Sequence, residues 1–310
     1  MRSSGTLMCL ASGAAFGAMA IFGKLAYGEG ATVGTLLAVR FLLAAAVFWG
    51  LVLAGGAARE VGALGRRDVG TALGLGGVGY ALQAGCYFAA LTRIDASLLS
   101  LLLYTFPAIV AAAAVALGRE RINGRRVAAL VLASSGLALV VADAGTGALD
   151  PVGAALGLGA ACVYSTYILV SEGVAVRMRP TVLSAIVCSG AAATLTVGAA
   201  VLGEFRPGAL TAAGWGWLAC LGAVSTVAAI SLFFAGLRRV GPTVASILST
   251  VEPLVTVGLA AIVFGEVLSP VQLLGGALVL SAVPVLHARL RRRGPRATAV
   301  GEADLSRVPA

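Results

Sequence analysis

Runs of about twenty apolar residues follow one another from residue 6 to residue 288 with few breaks. Each is long enough to cross a hydrocarbon core ~30 Å thick at about 1.5 Å of rise per helical residue. The chain carries only 11% charged residues against 59% hydrophobic ones. A soluble domain has about 25% charged, so this chain has too few polar groups to cover a surface in water. The runs fall at 6–27, 32–54, 69–91, 97–117, 125–143, 152–171, 181–202, 212–236, 243–264 and 269–288. A spanning β-barrel would instead show alternating segments of ~10 residues. The expected fold is an all-α polytopic membrane protein with ten transmembrane helices. Only 55–68 and the stretch from Arg289 are longer and non-apolar, so no soluble domain is expected. Met1-Arg2 before the first run, with Ala18-Met19-Ala20 inside it, imitates a signal peptide. That run is too long for a typical signal core, and it is read as an uncleaved helix.

The second constraint is a duplication. Leu91, Ser100, Leu102, Pro107, Ala114, Glu120, Leu132 and Ser135 fall on Leu237, Ser246, Leu248, Pro253, Ala260, Glu266, Leu278 and Ser281, a constant shift of 146 positions without a gap. Phe88-Ala89 and Gly13-Ala14-Ala15 recur with the same shift. Each copy holds five runs, an odd number, so the copies are expected to lie upside down relative to each other, as inverted five-helix repeats. The boundaries read as 1–145 for the first repeat, 146–288 for the second, and 289–310 for a basic cytoplasmic tail expected to be disordered.

Basic residues fix the orientation. With the N-terminus inside, Arg2, Arg59, Arg66, Arg67, Arg119, Arg121, Arg125, Arg126, Arg177, Arg179, Arg238, Arg239 and the arginines of the tail face the cytoplasm, against Arg93 and Arg206 outside. The positive-inside rule then puts both termini in the cytoplasm. The net charge of +9 is spread over one membrane face rather than gathered on a folded domain, so it reads as topology and not as a nucleic-acid surface. The tail arginines are placed to meet anionic lipid headgroups.

Gly74-Leu75-Gly76-Gly77-Val78-Gly79 spells G-x-G-x-x-G, but a dinucleotide site needs a strand before it and a helix after it in a soluble sheet. Inside an apolar span the glycines read as helix-packing positions, like Gly13 and Gly17, Gly70 and Gly74, and Gly153 and Gly157. Cys9, Cys86, Cys162, Cys188 and Cys220 lie singly without C-x-x-C spacing, and His287 lacks partner ligands. No metal site and no cofactor are expected.

Candidate site residues come from depth in the membrane. Pro107 and Pro253 occupy matching positions, and each removes one amide donor and frees the carbonyl four residues earlier, that of Leu103 or Ser249. Such breaks persist in hydrocarbon where they line a cavity or find partners. Glu252 lies near mid-membrane, where an acid is costly unless paired, protonated or hydrated. With Ser249 and Thr256 it forms an i, i+3, i+7 stripe; the matching residues of the other copy are Leu103, Phe106 and Val110. Glu252 reads as a proton-coupling carboxylate, a ligand for a substrate amine, or half of a structural ion pair. Arg40 is equally deep, with no polar neighbour at i±3 or i±4, and is open to neutralising Glu252, binding a substrate anion, or snorkelling. Lys24, near an outer helix end, is expected to snorkel. Two positive charges against one negative favour a substrate with a carboxylate. Tyr80, Gln83 and Tyr87 form a second stripe and Tyr164, Tyr167 and Ser171 a third; Tyr80, Gln83, Tyr87, Tyr104 and Tyr164 are expected to line a pocket, while Tyr167, Trp215 and Trp217 suit the headgroup belt.

Arg40-Phe41, Ser97 to Pro107 continuing to Leu117-Gly118-Arg119-Glu120-Arg121, and Ala245-Ser246-Ile247-Leu248-Ser249-Thr250-Val251-Glu252-Pro253 running to Phe264-Gly265-Glu266 resemble the two EamA repeats of the drug/metabolite transporter superfamily. The resemblance covers residues 6 to 288; Arg119 departs from it, standing where a glycine usually precedes the acid. It implies ten helices in two inverted halves, with helices 1, 3, 4, 6, 8 and 9 around a central cavity. It also implies an exporter or carrier of amino acids or other small metabolites and drugs, working by alternating access in a bacterial inner membrane. The expected partners are a small-molecule substrate, with or without a coupled proton, and the lipid bilayer, but no nucleic acid; monomer and homodimer stay open. A flippase for lipid or lipid-linked sugar is the alternative. A membrane-embedded transferase is remote, because no acidic cluster, metal site or nucleophile with a base is present.

Overall fold

The structure, a computed structural model, describes residues 2–118, 123–144, 150–175 and 177–287. The turn containing Arg119, Glu120 and Arg121 and the basic tail lie outside the described residues. Every regular element among the described residues is helical. Six stretches, Ser3–Gly28, Val33–Ala54, Ala96–Ala116, Pro151–Ser171, Pro180–Val201 and Ala212–Val240, are long and apolar enough to cross a membrane, and Val251–Phe264 and Pro270–Val285 are shorter apolar helices. This is a multi-pass helical membrane protein.

In chain order the helices are α1 (Arg2–Gly17), α2 (Met19–Gly28), α3 (Val33–Ala54), α4 (Ala58–Ala63), α5 (Arg66–Gly74), α6 (Ala81–Leu91), α7 (Ala96–Leu103), α8 (Phe106–Ala116) and α9 (Gly124–Ala144). They continue with α10 (Pro151–Ala175), α11 (Pro180–Val201), α12 (Ala212–Gly222), α13 (Ala229–Val240), α14 (Pro242–Leu248), α15 (Val251–Phe264) and α16 (Pro270–His287). Side-chain caps start several of them. Thr32 Oγ1 accepts the Thr35 amide at 3.0 Å to open α3, and Thr211 Oγ1 accepts the Gly214 amide at 3.1 Å to open α12. Asp150 accepts the Val152 and Gly153 amides at 2.8 and 3.1 Å ahead of α10 and pairs with Arg93 at 3.0 Å. The Gly153 amide, then the Arg93 guanidinium, hold its carboxyl below the usual carboxylate range.

Five of the expected spans are interrupted, one of them only at Ala18, between α1 and α2. The prolines account for two: α7 stops at Leu103 and α8 resumes at Phe106 beside Pro107, while α14 stops at Leu248 and α15 resumes at Val251 beside Pro253. The other two hold π-helical turns, Leu75–Tyr80 between α5 and α6 and Ala223–Ala228 between α12 and α13. A π turn leaves carbonyls out of register with the α pattern. In the second turn Thr226 Oγ1 donates to the Leu221 carbonyl, five residues back, at 3.0 Å.

The helices pair as α1 with α13, α6 with α10, α3 with α11, α9 with α16, and α7 with α15. Within the G-x-G-x-x-G run Gly76 and Gly77 pack against α11, whereas Gly74 and Gly70, expected as packing positions, have nothing within 4 Å of an added methyl. A methyl group on Gly76 would stand 1.9 Å from the Val187 carbonyl oxygen, and one on Gly190 would stand 2.4 Å from that of Leu73. Gly136 and Gly275 bring α9 and α16 together in the same way. Polar ties cross these faces, with Ser12 Oγ donating to the Ala229 carbonyl at 2.7 Å and Trp49 Nε1 to Ser189 Oγ at 2.9 Å.

At one end of the bundle Glu266, in the connection after α15, caps the N-terminus of α7. It accepts the Ala96 amide at 3.1 Å, the Ser97 amide at 3.0 Å and the Ser97 hydroxyl at 2.8 Å. Lys24 Nζ completes the cluster, 2.7 Å from Glu266 and 3.7 Å from Asp95. Lys24 therefore does not snorkel freely, because two carboxylates hold it at the end of α2. Burial pushes the Glu266 carboxyl up, but the hydrogen bonds from Lys24 and Ser97 outweigh it and leave the group below its ordinary range. A depressed folded-state pKa gives stability that is present above the ordinary carboxylate range and lost as pH falls through the folded value.

Two outcomes test this packing. Gly76→Ala should destabilise the detergent-solubilised protein by about 1–3 kcal/mol through overpacking, whereas Gly74→Ala, with nothing within 4 Å of its added methyl, should leave its thermal midpoint unchanged or raised. Glu266→Gln should lower the midpoint at pH 7 by the equivalent of about 1–3 kcal/mol. The gap to the parent protein should close as pH falls below the carboxylate range, and an equal gap at all pH values would remove the charge from the explanation.

Candidate functional site

A cavity of about 670 Å³ lies inside the bundle. Its walls come from α1, α2, α6, α7, α8, α10, α13, α15, the proline breaks and Tyr80 of the first π turn, joined by Arg40 of α3, Leu183 to Cys188 of α11 and Val283 of α16. The six-helix lining implied by the resemblance is thus supplemented by three further stretches.

Of the expected site residues, Arg40, Tyr80, Gln83, Tyr87, Tyr104, Tyr164, Ser249, Glu252 and Pro107 all face this one cavity. Two do not. Thr256 is 2% exposed and turns its hydroxyl to the Gly17 carbonyl at 2.9 Å and the Glu252 carbonyl at 3.1 Å, because a hydroxyl on that face meets the backbone of α1 rather than open space. Pro253 is buried beside the break and does not border the cavity. Tyr167, expected at the headgroup level, instead lines the cavity, its ring 5.9 Å from Tyr80 and 6.4 Å from Tyr164.

The second proline break is repaired across the cavity. The Ser249 carbonyl, which Pro253 cannot bond, accepts the Tyr104 hydroxyl at 2.5 Å and the Glu252 amide at 3.0 Å. The same Tyr104 hydroxyl lies 3.0 Å from Glu252 Oε2. That is the only side-chain hydrogen bond to the Glu252 carboxylate among the described residues. Tyr104 stands at the first break and Glu252 at the second, so one phenol joins the two interrupted helices.

Arg40 is 2% exposed. Its Nε donates to Thr226 Oγ1 at 2.9 Å, and its Cζ lies 5.0 Å from the Phe41 ring and 5.3 Å from that of Phe88. Among the described residues no ion pair within 4.0 Å joins Arg40 to Glu252. The expected neutralisation is absent because a hydroxyl and two aromatic faces meet the guanidinium instead; snorkelling is excluded by its burial. The Tyr80, Tyr87, Tyr164 and Tyr167 hydroxyls and the Gln83 amide also make no hydrogen bond to protein among the described residues, although all five residues border the cavity. The rest of the wall is apolar and aromatic: Phe16, Met19, Phe106, Ile230, Phe233 and Phe234. The sequence did not mark these, since a phenylalanine on a spanning helix looks the same whether it faces lipid or a cavity.

From Phe88, three residues before α6 ends, the cavity extends toward the other end of the bundle. Its lining reaches Ser184, four residues after α11 begins, and Leu237, next to Arg238 and Arg239 at the end of α13. Beyond Phe88 stand the Lys24 and Glu266 cluster, Tyr27 donating to the Phe88 carbonyl at 2.9 Å, and Thr211 hydrogen-bonded to Glu29.

Comparison with known proteins gives this arrangement a family. Residues 3–142 and 151–286 each match the EamA-like transporter family. An uncharacterized transporter of Bacillus subtilis (strain 168), YwfM, is 33% identical over 166 residues, which are 53% of this chain and 55% of that protein. A second from the same organism, YcbK, is 25% identical over 300 residues, 95% of this chain and 96% of that one. An uncharacterized transporter of Archaeoglobus fulgidus is 29% identical over 70% of this chain and 77% of its own length. A solved crystal structure at 20% identity shares the fold with a TM-score of 0.66, over 92% of this chain and 98% of that one. The chain belongs to the EamA-like transporter family.

Proposed function

We propose that the protein is a secondary carrier that exports amino acids or other small amphipathic metabolites or drugs by alternating access. The observation that carries this reading is the cavity itself, large enough for a small organic solute, buried within the bundle, and bearing one acid, one base and a set of unoccupied phenol tips among apolar rings. In this reading ten spanning helices form two inverted halves, residues 1–145 and 146–288, with both termini in the cytoplasm of a bacterial inner membrane. The helix pairings support it: a shift of 146 residues carries the α1 and α13 pair onto the α10 and α6 pair, and exchanges the members of the α3 and α11 and of the α9 and α16 pairs. A two-fold relation between halves requires that exchange. The paired proline breaks obey it as well, and the two π turns fall within two residues of it.

With that orientation the cavity lies on the cytoplasmic side, and the Lys24, Asp95 and Glu266 cluster with the α7 N-terminus is the outer seal. The transport cycle opens that seal and closes the end near Leu237 and Ser184, exposing the same cavity outward. Glu252 is the coupling carboxylate. Half-buried and facing the cavity with a single side-chain hydrogen bond, it exchanges a proton as the cavity changes sides, which lets a proton gradient drive export.

Two measurements test the reading. In proteoliposomes, Glu252→Gln should abolish solute movement driven by a pH gradient while leaving solute exchange intact; unaltered pH dependence removes the coupling role. Screening the purified protein against a metabolite library should find water-soluble solutes that raise its thermal midpoint, since a ligand at 100 times its Kd contributes about 2.7 kcal/mol to the folded state. Efflux of such a solute from whole cells separates a solute exporter from a lipid flippase.

A further inference from the structure

We infer that Arg40 is an anion anchor of the cavity, and that the solutes the protein carries bear a carboxylate joined to an apolar or aromatic body; this rests on the cavity being the transport site. Arg40 occupies the eighth position of α3, with Leu36, Leu37, Leu43 and Ala44 as its helical neighbours, and is 2% exposed. A guanidinium buried in apolar surroundings needs an opposite charge or a dense set of acceptors. The protein supplies one acceptor. Thr226 Oγ1 takes the Nε–H at 2.9 Å and is itself fixed by donating to the Leu221 carbonyl at 3.0 Å, a bond that the π turn makes possible. The Phe41 and Phe88 rings, 5.0 and 5.3 Å from Cζ, restrict the guanidinium further.

What this leaves is directional. The two terminal amino groups make no hydrogen bond to protein, no carboxylate lies within 4.0 Å of them among the described residues, and the residue faces the cavity. A guanidinium held through Nε keeps its two terminal amino groups for a second partner, and a carboxylate matches them with two parallel bonds. The Phe41 and Phe88 rings stand beside this fork, and the cavity that Phe88 and Arg40 share is lined chiefly by apolar and aromatic residues, Met19, Tyr87 and Ile230 among them. The chemistry recognised is therefore a planar anion on an apolar body. Whether that body also carries an amine is decided at Glu252, the cavity's other charge.

The test uses the full chain, purified in detergent, with 3-phenylpropanoate and its uncharged amide, 3-phenylpropanamide, as probes. The carboxylate should bind at least tenfold more tightly than the amide. In Arg40→Gln the ratio should fall close to one, through loss of carboxylate binding with the amide unchanged. Arg40→Lys, which keeps the charge and loses the fork, should lie between. Should Arg40→Gln fail to fold, Thr226→Val keeps the guanidinium and frees its orientation, and should lower the ratio severalfold. A ratio near one in the parent protein overturns the inference, as does no binding of either probe, or a ratio retained in folded Arg40→Gln or, failing that, in Thr226→Val. Solute movement in counterflow with a ratio of one sinks the anion anchor and leaves the carrier standing; an intact ratio with no solute moved by the protein does the reverse.

Discussion

Hydrocarbon offers no hydrogen bonds, and the architecture of this chain follows from where it leaves the α pattern despite that. Each backbone group released inside the membrane has to be met from within the protein. The breaks before Pro107 and Pro253 and the π turn at Leu75–Tyr80 border the cavity, and the π turn at Ala223–Ala228 reaches it through the hold of Thr226 on Arg40. At the second break Tyr104 and the Glu252 amide meet the released Ser249 carbonyl. At the second π turn the Thr226 hydroxyl meets the Leu221 carbonyl. Irregular backbone and functional side chains coincide because the groups that repair one also position the other. Thr226 meets a carbonyl and holds Arg40, and Tyr104 meets a carbonyl and holds Glu252.

Charge obeys the same economy. The basic residues near the ends of α11 and α13, Arg179, Arg238 and Arg239, lie at the end toward which the cavity extends. Inside the bundle each charge has a separate answer. Lys24 is neutralised by Glu266 and Asp95 at the far end, whereas Arg40 and Glu252 each keep unused hydrogen-bonding capacity facing the cavity. Paired charge therefore marks the Lys24 end of the bundle and unpaired charge marks the pocket.

Much of this was legible in the sequence. The spans, the proline breaks and the glycine packing face followed from run length, from missing amides and from the absence of a sheet around G-x-G-x-x-G. Most of the polar cavity residues followed from depth and helical spacing, as with Tyr80, Gln83 and Tyr87. The failures share one cause, that contacts across more than a hundred positions leave no periodic trace. Nothing near Lys24 points to Glu266, 242 residues away, and nothing near Arg40 points to Thr226, 186 residues away. Thr256 shows the converse: its spacing from Glu252 is that of a shared face, but α1 occupies the space in front of it and takes its hydroxyl.

The Tyr104 hydroxyl has a single hydrogen and two acceptors within reach, the Ser249 carbonyl at 2.5 Å and the Glu252 carboxylate at 3.0 Å. It satisfies one at a time. When Glu252 is ionised the two compete for that hydrogen. Once Glu252 is protonated it becomes a donor to the phenol oxygen, and the phenol hydrogen belongs to Ser249 alone. The proton inventory of the pocket and the stiffness of the broken helix are thus one variable, read out through a single O–H bond that spans the two halves of the chain.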